Sequence, residues 1–291
     1  MNRFVLGTVQ LGLPYGRLRH SPLMTAEAAF RVLDAAWDIG VRTFDTAEAY
    51  GESAARLRAW IGERGHRADV GVVTKSSVGA GGSNAQSVER AGIALSRFDE
   101  VHELTLLTHG AVDTAGWEAV SEVAARRGAI AGQSVYTAGE VEAACRLPRT
   151  GRVQAPGNIL DTRAIAARGE SKASLDVRSV YLQGVLLDAP GRAESRAPGA
   201  FRIVTALQRA AAAVRVPLAV ALVASMLRIL RAGDRVVLGV DNESQLAMLP
   251  RVLEIGDQTV DNFREAVMTL AGSSEHEAIL DPRSWPMEDA E

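Results

Sequence analysis

The sequence contains little cysteine and few aromatic residues. Cys145 is its one cysteine in 291 residues, which excludes a disulfide framework and fits a reducing compartment. Aromatic residues make up only 5% of the chain, so few rings are available to line a binding pocket. We name Tyr15, Trp117 and Tyr136 as the candidates, and a small or polar ligand is favoured over a steroid-like one.

Neither sign of charge is in excess, and no hydrophobic run is long. The chain has 32 basic and 35 acidic residues, and a net charge of −3 gives no footprint for a nucleic acid. The longest apolar stretch, residues 216–230, contains Arg228 and is shorter than the ~20 residues of a membrane span. The N-terminal apolar run is too short and too rich in glycine for a signal peptide. We expect a cytoplasmic protein with no membrane or nucleic-acid partner; these patterns do not indicate its oligomeric state.

Several common ligand-binding motifs are absent as well. No G-x-G-x-x-G follows an early strand, which argues against a doubly wound dinucleotide-binding sheet. The glycines around residues 79–82 lack the spacing of a P-loop, and we interpret them as a rim loop. None of the five histidines has a zinc-like spacing with cysteine or carboxylate support, so no metal is expected.

The sequence does show short apolar runs that alternate with longer helical patterns. Strands are predicted at residues 4–11, 41–47, 70–75, 103–109, 129–135, 152–156, 179–184 and 235–240. Continuous apolar runs are typical of strands buried on both faces of a parallel sheet. Eight strands alternating with helices predict a (β/α)8 TIM barrel in one domain, residues 1–271. A polar, loosely docked tail, residues 272–291, is expected to follow.

One connecting segment and several helix ends can also be predicted. Pro217 suits the first turn of a helix, and Gly233 suits the position just past a helix end. Residues 188–200, with two prolines and two arginines, are expected to form a long loop. Further helices are expected to begin near Ser244 and Thr259.

Three successive predicted strands end in residues that can do chemistry. Asp45 ends the second strand with Tyr50 in the following loop, Lys75 ends the third, and His109 ends the fourth. In a barrel the C-terminal strand ends meet at one face, where active sites lie. Any one of these residues alone is more simply a structural residue, but their joint occurrence favours a site.

These residue types suit the reduction of a carbonyl group. A tyrosine hydroxyl ordinarily titrates near pH 10, and a neighbouring ammonium such as that of Lys75 favours its ionised form. Asp45 can hold and balance the ammonium, and His109 can donate a hydrogen bond to a carbonyl oxygen. Protein side chains do not donate hydride, so a nicotinamide cofactor is implied.

The segments DTAEAYG, VVTK and LLTH, in this order, resemble the signature segments of the aldo-keto reductase family. LGTVQLG, GQSVY, QAPGN, VYLQGVLL and VVLGVDNESQL resemble further segments, so that the resemblance covers nearly the whole chain. It implies an NAD(P)H-dependent oxidoreductase whose catalytic tetrad is Asp45, Tyr50, Lys75 and His109.

The resemblance also implies a set of cofactor contacts. Residues beside the nicotinamide and its ribose or carboxamide would be Thr8, Val9, Asp45, Ser134 and Gln154. The pyrophosphate path would follow Leu182, Gln183 and Gly184, and the adenosine end would meet Gly239, Asp241 and Gln245. Backbone N–H groups of the helix near Ser244 are suited to a phosphate.

Four departures from the family pattern stand out. Arg178 occupies about the place of an aromatic residue that stacks on the nicotinamide, with Tyr181 three residues further on as the other candidate. Val135 follows Ser134 where many members have Asn. Many members follow Tyr-Gly with Ser-Glu, whereas here Gly51 is followed by Glu52-Ser53-Ala54-Ala55 and the Glu after the Ser is missing. The N-terminal hairpin of many members is expected to be absent, because the first strand begins almost at Met1.

The family resemblance and the local residues favour different cofactors. The resemblance implies NADPH, which we place first. Asp241 and Glu243 would repel a 2′-phosphate and accept from a free ribose hydroxyl, which favours NADH. Arg202 or Arg251 could reach in to bind a phosphate.

The leading hypothesis is reversible reduction of an aldehyde or ketone, possibly sugar-like, with Tyr50 as the proton donor. The alternative is a nicotinamide-binding redox sensor of the same fold with weak catalysis, motivated by Arg178 and Val135. A third hypothesis is a barrel lyase that uses Lys75 as a Schiff-base amine.

Overall fold

The computed structural model describes residues 1–15, 22–77, 84–268, 277 and 279–286. The predicted rim loop at residues 79–82 and most of the predicted tail lie outside these residues.

Eight parallel strands close into a barrel in the order in which they occur in the chain, as predicted. Each strand pairs with its neighbours in sequence, and β1 pairs with β8 to close the ring. The strands are β1 Phe4–Gly7, β2 Thr43–Asp45, β3 Gly71–Ser76, β4 Glu103–His109, β5 Ile130–Ser134, β6 Arg152–Pro156, β7 Ser174–Arg178 and β8 Arg235–Gly239.

Helices follow the strands and cover the outside of the barrel. They are α1 Ala26–Asp38, α2 Ser53–Arg64, α3 Asn84–Ser96, α4 Thr114–Arg126, α5 Ala138–Arg146, α6 Arg163–Ala167, α7 Pro190–Arg196, α8 Ala200–Ala213, α9 Leu218–Ile229, α10 Leu249–Glu254 and α11 Asp257–Met268. Short 3₁₀ helices lie at Val9–Leu11, Val185–Leu187 and Glu243–Met248. The helix predicted near Ser244 is therefore a 3₁₀ segment that continues into α10.

The seventh strand was predicted five residues too late. Residues 179–184 form a loop in which Ser179, Leu182 and Gln183 have positive φ values of 63°, 50° and 52°. Side chains rarely adopt this left-handed region, and it cannot continue a strand. The sequence does not predict the true strand, β7, because it contains two charged residues, Asp176 and Arg178.

The charge inside β7 is neutralised within the barrel. Asp176 is fully buried and accepts hydrogen bonds from Arg152 over 2.7 Å and from Arg235 over 2.9 Å. Burial alone would raise the pKa of Asp176, but the two guanidinium groups outweigh it and hold that pKa below its ordinary value. An ion cluster thus occupies the floor of the barrel, at the end opposite the tetrad.

Two further expectations need correction. Residues 188–200 are not one long loop, because Pro190 begins the short helix α7. Trp117 does not line a pocket: it is fully buried in α4, and its indole N–H donates to the carbonyl oxygen of Pro148 over 2.7 Å.

The C-terminal segment is more firmly attached than a frayed tail. Within residues 279–286, Ile279 and Trp285 are buried in the main hydrophobic core. The Trp285 indole N–H donates to the carbonyl oxygen of Ile279 over 3.1 Å. The predicted boundary at residue 271 falls outside the described part of the chain.

Helix α9 is apolar around most of its surface because it is buried against the barrel. Within the described residues no single helix is long and apolar enough to cross a membrane. Helices α8 and α9 reach that length and composition only as a pair, bent by 88° at the break between them.

Candidate active site

Asp45 and Lys75 form a buried ion pair at the C-terminal end of the barrel. They are 3% and 1% exposed, and Lys75 Nζ lies 2.5 Å from Asp45 Oδ1. The same ammonium donates a hydrogen bond to Tyr50 Oη over 3.2 Å. The phenol is therefore joined to a buried charge pair through the ammonium.

Lys75 is held in its charged form. Burial alone would lower the pKa of Lys75, but the Asp45 carboxylate and the Tyr50 oxygen outweigh it and raise that pKa above its ordinary value. A protonated Lys75 can donate to the tyrosine oxygen and stabilise negative charge as it develops there.

His109, the last residue of β4, meets Tyr50 from the other side. The two rings are 6.2 Å apart between centroids and lie at 89° to each other. Burial lowers the pKa of His109, and the positive charges of Lys75 and Arg178 lower it further. The imidazole is therefore neutral at pH 7, with one N–H to donate beside the phenol.

Two polar residues predicted to hold the cofactor's carboxamide are linked to the same pair. Gln154 Nε2 donates to Asp45 Oδ2 over 2.7 Å, and Ser134 Oγ donates to Gln154 Oε1 over 3.3 Å. Gln154 lines the cavity described below, whereas Ser134 is buried behind it.

The loop that carries Tyr50 is anchored by buried hydroxyl groups. Thr8 Oγ1 donates to the carbonyl oxygen of Asp45 over 2.8 Å and lies 2.6 Å from Ser53 Oγ. Ser53 Oγ also lies 2.9 Å from Thr46 Oγ1. Ser53 is the first residue of α2, and its hydrogen bonds to other segments give no local signal in the sequence.

A glycine lets the first loop of the barrel approach the Tyr50 loop. A Cβ atom on Gly12 would lie 2.0 Å from the carbonyl oxygen of Tyr50 and 2.2 Å from the backbone nitrogen of Ser53. Only a residue without a side chain fits there. The second glycine of LGTVQLG thus positions the candidate acid, a role that sequence reasoning did not assign.

A cavity of about 420 Å³ extends from the tetrad toward the loop after β8. Tyr50 and Asp45 line one part of it. The other predicted residues that line it are Val9, Gln154, Tyr181, Gln183, Gly184, Gly239, Asp241 and Gln245. Thr8 and Leu182, also predicted as contacts, are buried with their side chains in the protein interior.

The cavity walls present polar atoms suited to a polar ligand. Within the described residues, Gln10 Oε1 and Gln183 Oε1 are buried and accept no hydrogen bond. A Cβ on Gly239 would meet the amide of Gln10 at 2.5 Å, so the glycine makes room for that side chain at the wall. Both glutamines belong to the lining of the cavity, where side-chain amides suit a polar ligand.

The two candidates for stacking on the nicotinamide are both in the cavity wall. The Tyr181 hydroxyl donates to the carbonyl oxygen of Ala219 over 3.1 Å, and burial raises the pKa of Tyr181. Arg178 ends β7, and one of its guanidinium N–H groups donates to the carbonyl oxygen of Val135 over 3.1 Å.

The loop after β8 is acidic and partly ordered by its own side chains. The backbone N–H of Asp241 donates to Gln245 Oε1 over 2.9 Å, and Gln245 Nε2 lies 3.2 Å from Asp241 Oδ2. Arg31, which the sequence did not single out, lies 3.5 Å from Glu243. Arg202 belongs to a separate depression beside Arg209 on α8.

No three His, Cys, Asp or Glu side chains of the described residues are grouped as metal ligands would be. The charges of the site are supplied by the side chains named above.

Residues 3–104 match the model of the aldo/keto reductase family, and this segment contains Asp45, Tyr50 and Lys75. His109 lies just beyond it. No curated protein matches the chain.

Several solved structures share the barrel. The chain is similar to a thermostable aldo-keto reductase in complex with the inhibitor epalrestat, with 16% identity and a TM-score of 0.68 over 91% of this chain and 95% of that one. It is also similar to an aldo-keto reductase from a Medee basin deep-sea metagenome, with 12% identity and a TM-score of 0.64 over 91% of each chain. An aldo/keto reductase from Brucella melitensis gives 13% identity and a TM-score of 0.62 over 91% of this chain and 94% of that one. At these identities the likeness is one of fold.

The sequence match to the aldo/keto reductase family lies in residues 3–104. The likeness to the solved structures is one of fold and covers the barrel.

Proposed function

We propose that the protein reversibly reduces an aldehyde or ketone to an alcohol, with Tyr50 donating the proton to the carbonyl oxygen. The observation that carries the proposal is the chain of contacts from Asp45 to Lys75 to Tyr50, 2.5 Å and 3.2 Å long. The cofactor, NADPH or NADH, supplies the hydride when bound.

Each tetrad residue has a distinct role in this proposal. The Tyr50 hydroxyl and the neutral His109 ring, whose ring centroids lie 6.2 Å apart, would both hydrogen-bond the carbonyl oxygen. Proton transfer from Tyr50 leaves a phenolate, which the Lys75 ammonium stabilises at 3.2 Å. Asp45 holds the ammonium in place and keeps it charged. In the reverse direction the same phenolate accepts the alcohol proton.

The cofactor would occupy the cavity that begins at the tetrad. Gln154, Gln183 and Gln10 would bind its polar groups, and the loop of Asp241 and Gln245 would receive its far end. The net acidic character of that loop supports NADH, and the family supports NADPH. Titrating each cofactor against the protein by thermal shift distinguishes them, since binding stabilises the fold by RT ln(1 + [L]/Kd).

The test of the function is Tyr50→Phe, assayed with both cofactors and a panel of short aldehydes, ketones and sugars. Loss of a general acid lowers kcat by about 10²–10⁴-fold, while the cofactor should still raise the melting temperature of the variant. Carbonyl reduction near the wild-type rate in the variant would refute the role of Tyr50. Cofactor binding without turnover of any compound by the wild-type protein would instead favour the redox sensor.

The two lysines of the chain provide a matched control. Lys75→Met should lower kcat strongly because the phenolate loses its ammonium, whereas Lys172→Met changes an exposed residue outside the site and should leave kcat unchanged. The raised pKa of Lys75 also argues against the lyase hypothesis, because a Schiff-base lysine must be deprotonated to attack. Borohydride trapping with an aldehyde that labels Lys75 would reverse that conclusion.

A further inference from the structure

Arg178 places a positive charge in the cavity wall beside the tetrad. It is the last residue of β7, so its side chain emerges at the same face of the barrel as Tyr50 and Lys75. It lines the cavity together with Tyr50 and Tyr15. In the mechanism proposed above, Arg178 has no role.

The arginine side chain is held in place by neutral groups. A terminal guanidinium N–H donates to the backbone of Val135, and the guanidinium carbon lies 4.5 Å from the centroid of the Tyr136 ring. Within the described residues Arg178 forms no ion pair, and its Nε is buried without a hydrogen-bond partner. An arginine held this way has donors left to offer a ligand.

The other charges near Tyr50 cancel each other. Asp45 and Lys75 neutralise one another at 2.5 Å, and His109 is neutral at pH 7. One positive charge, that of Arg178, therefore remains beside the reacting centre. Arg178 is half-buried in the cavity wall, and a bound anion would give its charge a partner.

We propose that Arg178 binds a carboxylate of the substrate, so that the preferred substrates are short oxo acids. This inference rests on the proposed carbonyl reduction, in which hydride adds to the carbonyl carbon and the Tyr50 proton to its oxygen. The carboxylate is unchanged by the reaction and serves to orient the substrate. A single arginine, with its planar fork of donors, matches the single charge and planar shape of a carboxylate better than a phosphate dianion.

The first experiment compares each oxo acid with its own methyl ester. The probes are the ω-oxo acids of two to five carbons, glyoxylate to 5-oxopentanoate, and their esters. The wild-type protein should reduce at least one acid with a higher kcat/KM than its ester. Arg178→Met should lower kcat/KM for that acid by about 100-fold, mainly through KM, because the pair to the carboxylate is lost. The ester should change by less than about threefold.

Two further variants sharpen the comparison. Arg178→Lys keeps the charge but not the planar fork, and it should retain part of the preference for the acid. Arg209→Met removes an exposed arginine from α8, away from the cavity, and should leave both substrates unaffected. Equal losses on acid and ester in Arg178→Met, or a wild-type preference for every ester, would overturn the proposal.

A binding measurement that needs no turnover tests this inference independently of the proposed function. In the Tyr50→Phe background, calorimetry with the cofactor-loaded protein should detect butanoate more strongly than butanamide. The additional change Arg178→Met should abolish that difference. If the wild-type protein reduces no carbonyl compound, the proposed reaction fails, yet the calorimetry still decides whether Arg178 binds a carboxylate. A phosphate monoester bound in preference to butanoate would also overturn the assignment.

Discussion

At the scale of single residues, the position of the candidate acid depends on atoms outside the tetrad. The Tyr50 loop is fixed by the hydroxyl groups of Thr8, Thr46 and Ser53 and by the close approach of Gly12. Hydrogen bonds of this kind hold a reacting group within the narrow range of positions in which proton transfer is efficient.

Gly12→Ala should therefore impair catalysis without touching the tetrad. The new methyl group would lie 2.0 Å from the Tyr50 carbonyl oxygen, so the loop must move. We expect kcat to fall by at least about tenfold, since small displacements of catalytic groups are costly. Gly139→Ala is the control, because nothing lies within 4 Å of its added methyl group in helix α5. A Gly12→Ala protein with wild-type kcat would show that the loop tolerates the shift.

His109 should make the stability of the protein depend on pH. Its pKa is lowered by burial and by Lys75 and Arg178, against the opposing effect of Asp45. The unfolded chain thus binds a proton here before the folded one does, as pH falls below about 6.5. The free energy of unfolding should decline with falling pH in that range.

Urea denaturation at pH 7.5 and pH 5.5 measures this effect. The decline in the free energy of unfolding between these values should be smaller in His109→Gln than in the wild-type protein. The comparison cancels the contribution of His66, whose pKa is also lowered by burial. An equal decline in both proteins would mean that His109 is not the group responsible.

At the scale of elements, β7 is held in the barrel by buried ion pairs to its two neighbouring strands. Asp176 faces inward from this strand and binds Arg152 of β6 and Arg235 of β8, so that one carboxylate connects three adjacent strands. A buried charge that loses its partner leaves the others uncompensated, which is far costlier than loss of an exposed pair.

Asp176→Asn should lower the free energy of unfolding by about 3–5 kcal/mol, measured by urea denaturation. The control is Glu122→Gln, which removes the exposed pair of Glu122 with Arg126 and should cost less than about 1 kcal/mol. Similar losses in free energy of unfolding in the two variants would show that the buried cluster stabilises the protein no more than an exposed ion pair does.

The same strand shows where prediction from sequence succeeds and where it fails. Seven strands, and the positions of Asp45, Tyr50, Lys75 and His109 at or just after the ends of three of them, were predicted because apolar runs of parallel strands are continuous and their ends are local features. The position of β7 was wrong because its charged residues are neutralised by partners far away in the sequence. For the same reason the roles of Gly12, Ser53 and Gln10 were not foreseen: each depends on a neighbour from another element.

At the scale of the whole molecule, the C-terminal segment joins the rim of the barrel to its core. Trp285 is 4% exposed within the main core, and Arg283 lies 5.0 Å from the ring of Tyr136, the residue against which Arg178 packs. The segment is therefore linked to the wall of the cavity through Tyr136 and Arg178.

Trp285→Ala should destabilise the whole barrel by about 3–5 kcal/mol, as buried tryptophans generally do. Phe201→Ala, at a side chain that is 50% exposed, is the control and should cost less than about 1 kcal/mol. A loss below about 1 kcal/mol for Trp285→Ala would mean that the segment detaches on its own, as expected for a separate tail beginning at residue 272.

The scarcity of lysine has a practical consequence for surface attachment. The sequence has two lysines, and Lys75 is shielded by its burial. The other, Lys172, is exposed and precedes β7, so it lies at the floor of the barrel. Coupling through the side chain of Lys172 would thus attach the molecule by its floor, with the mouth of the cavity facing the solution.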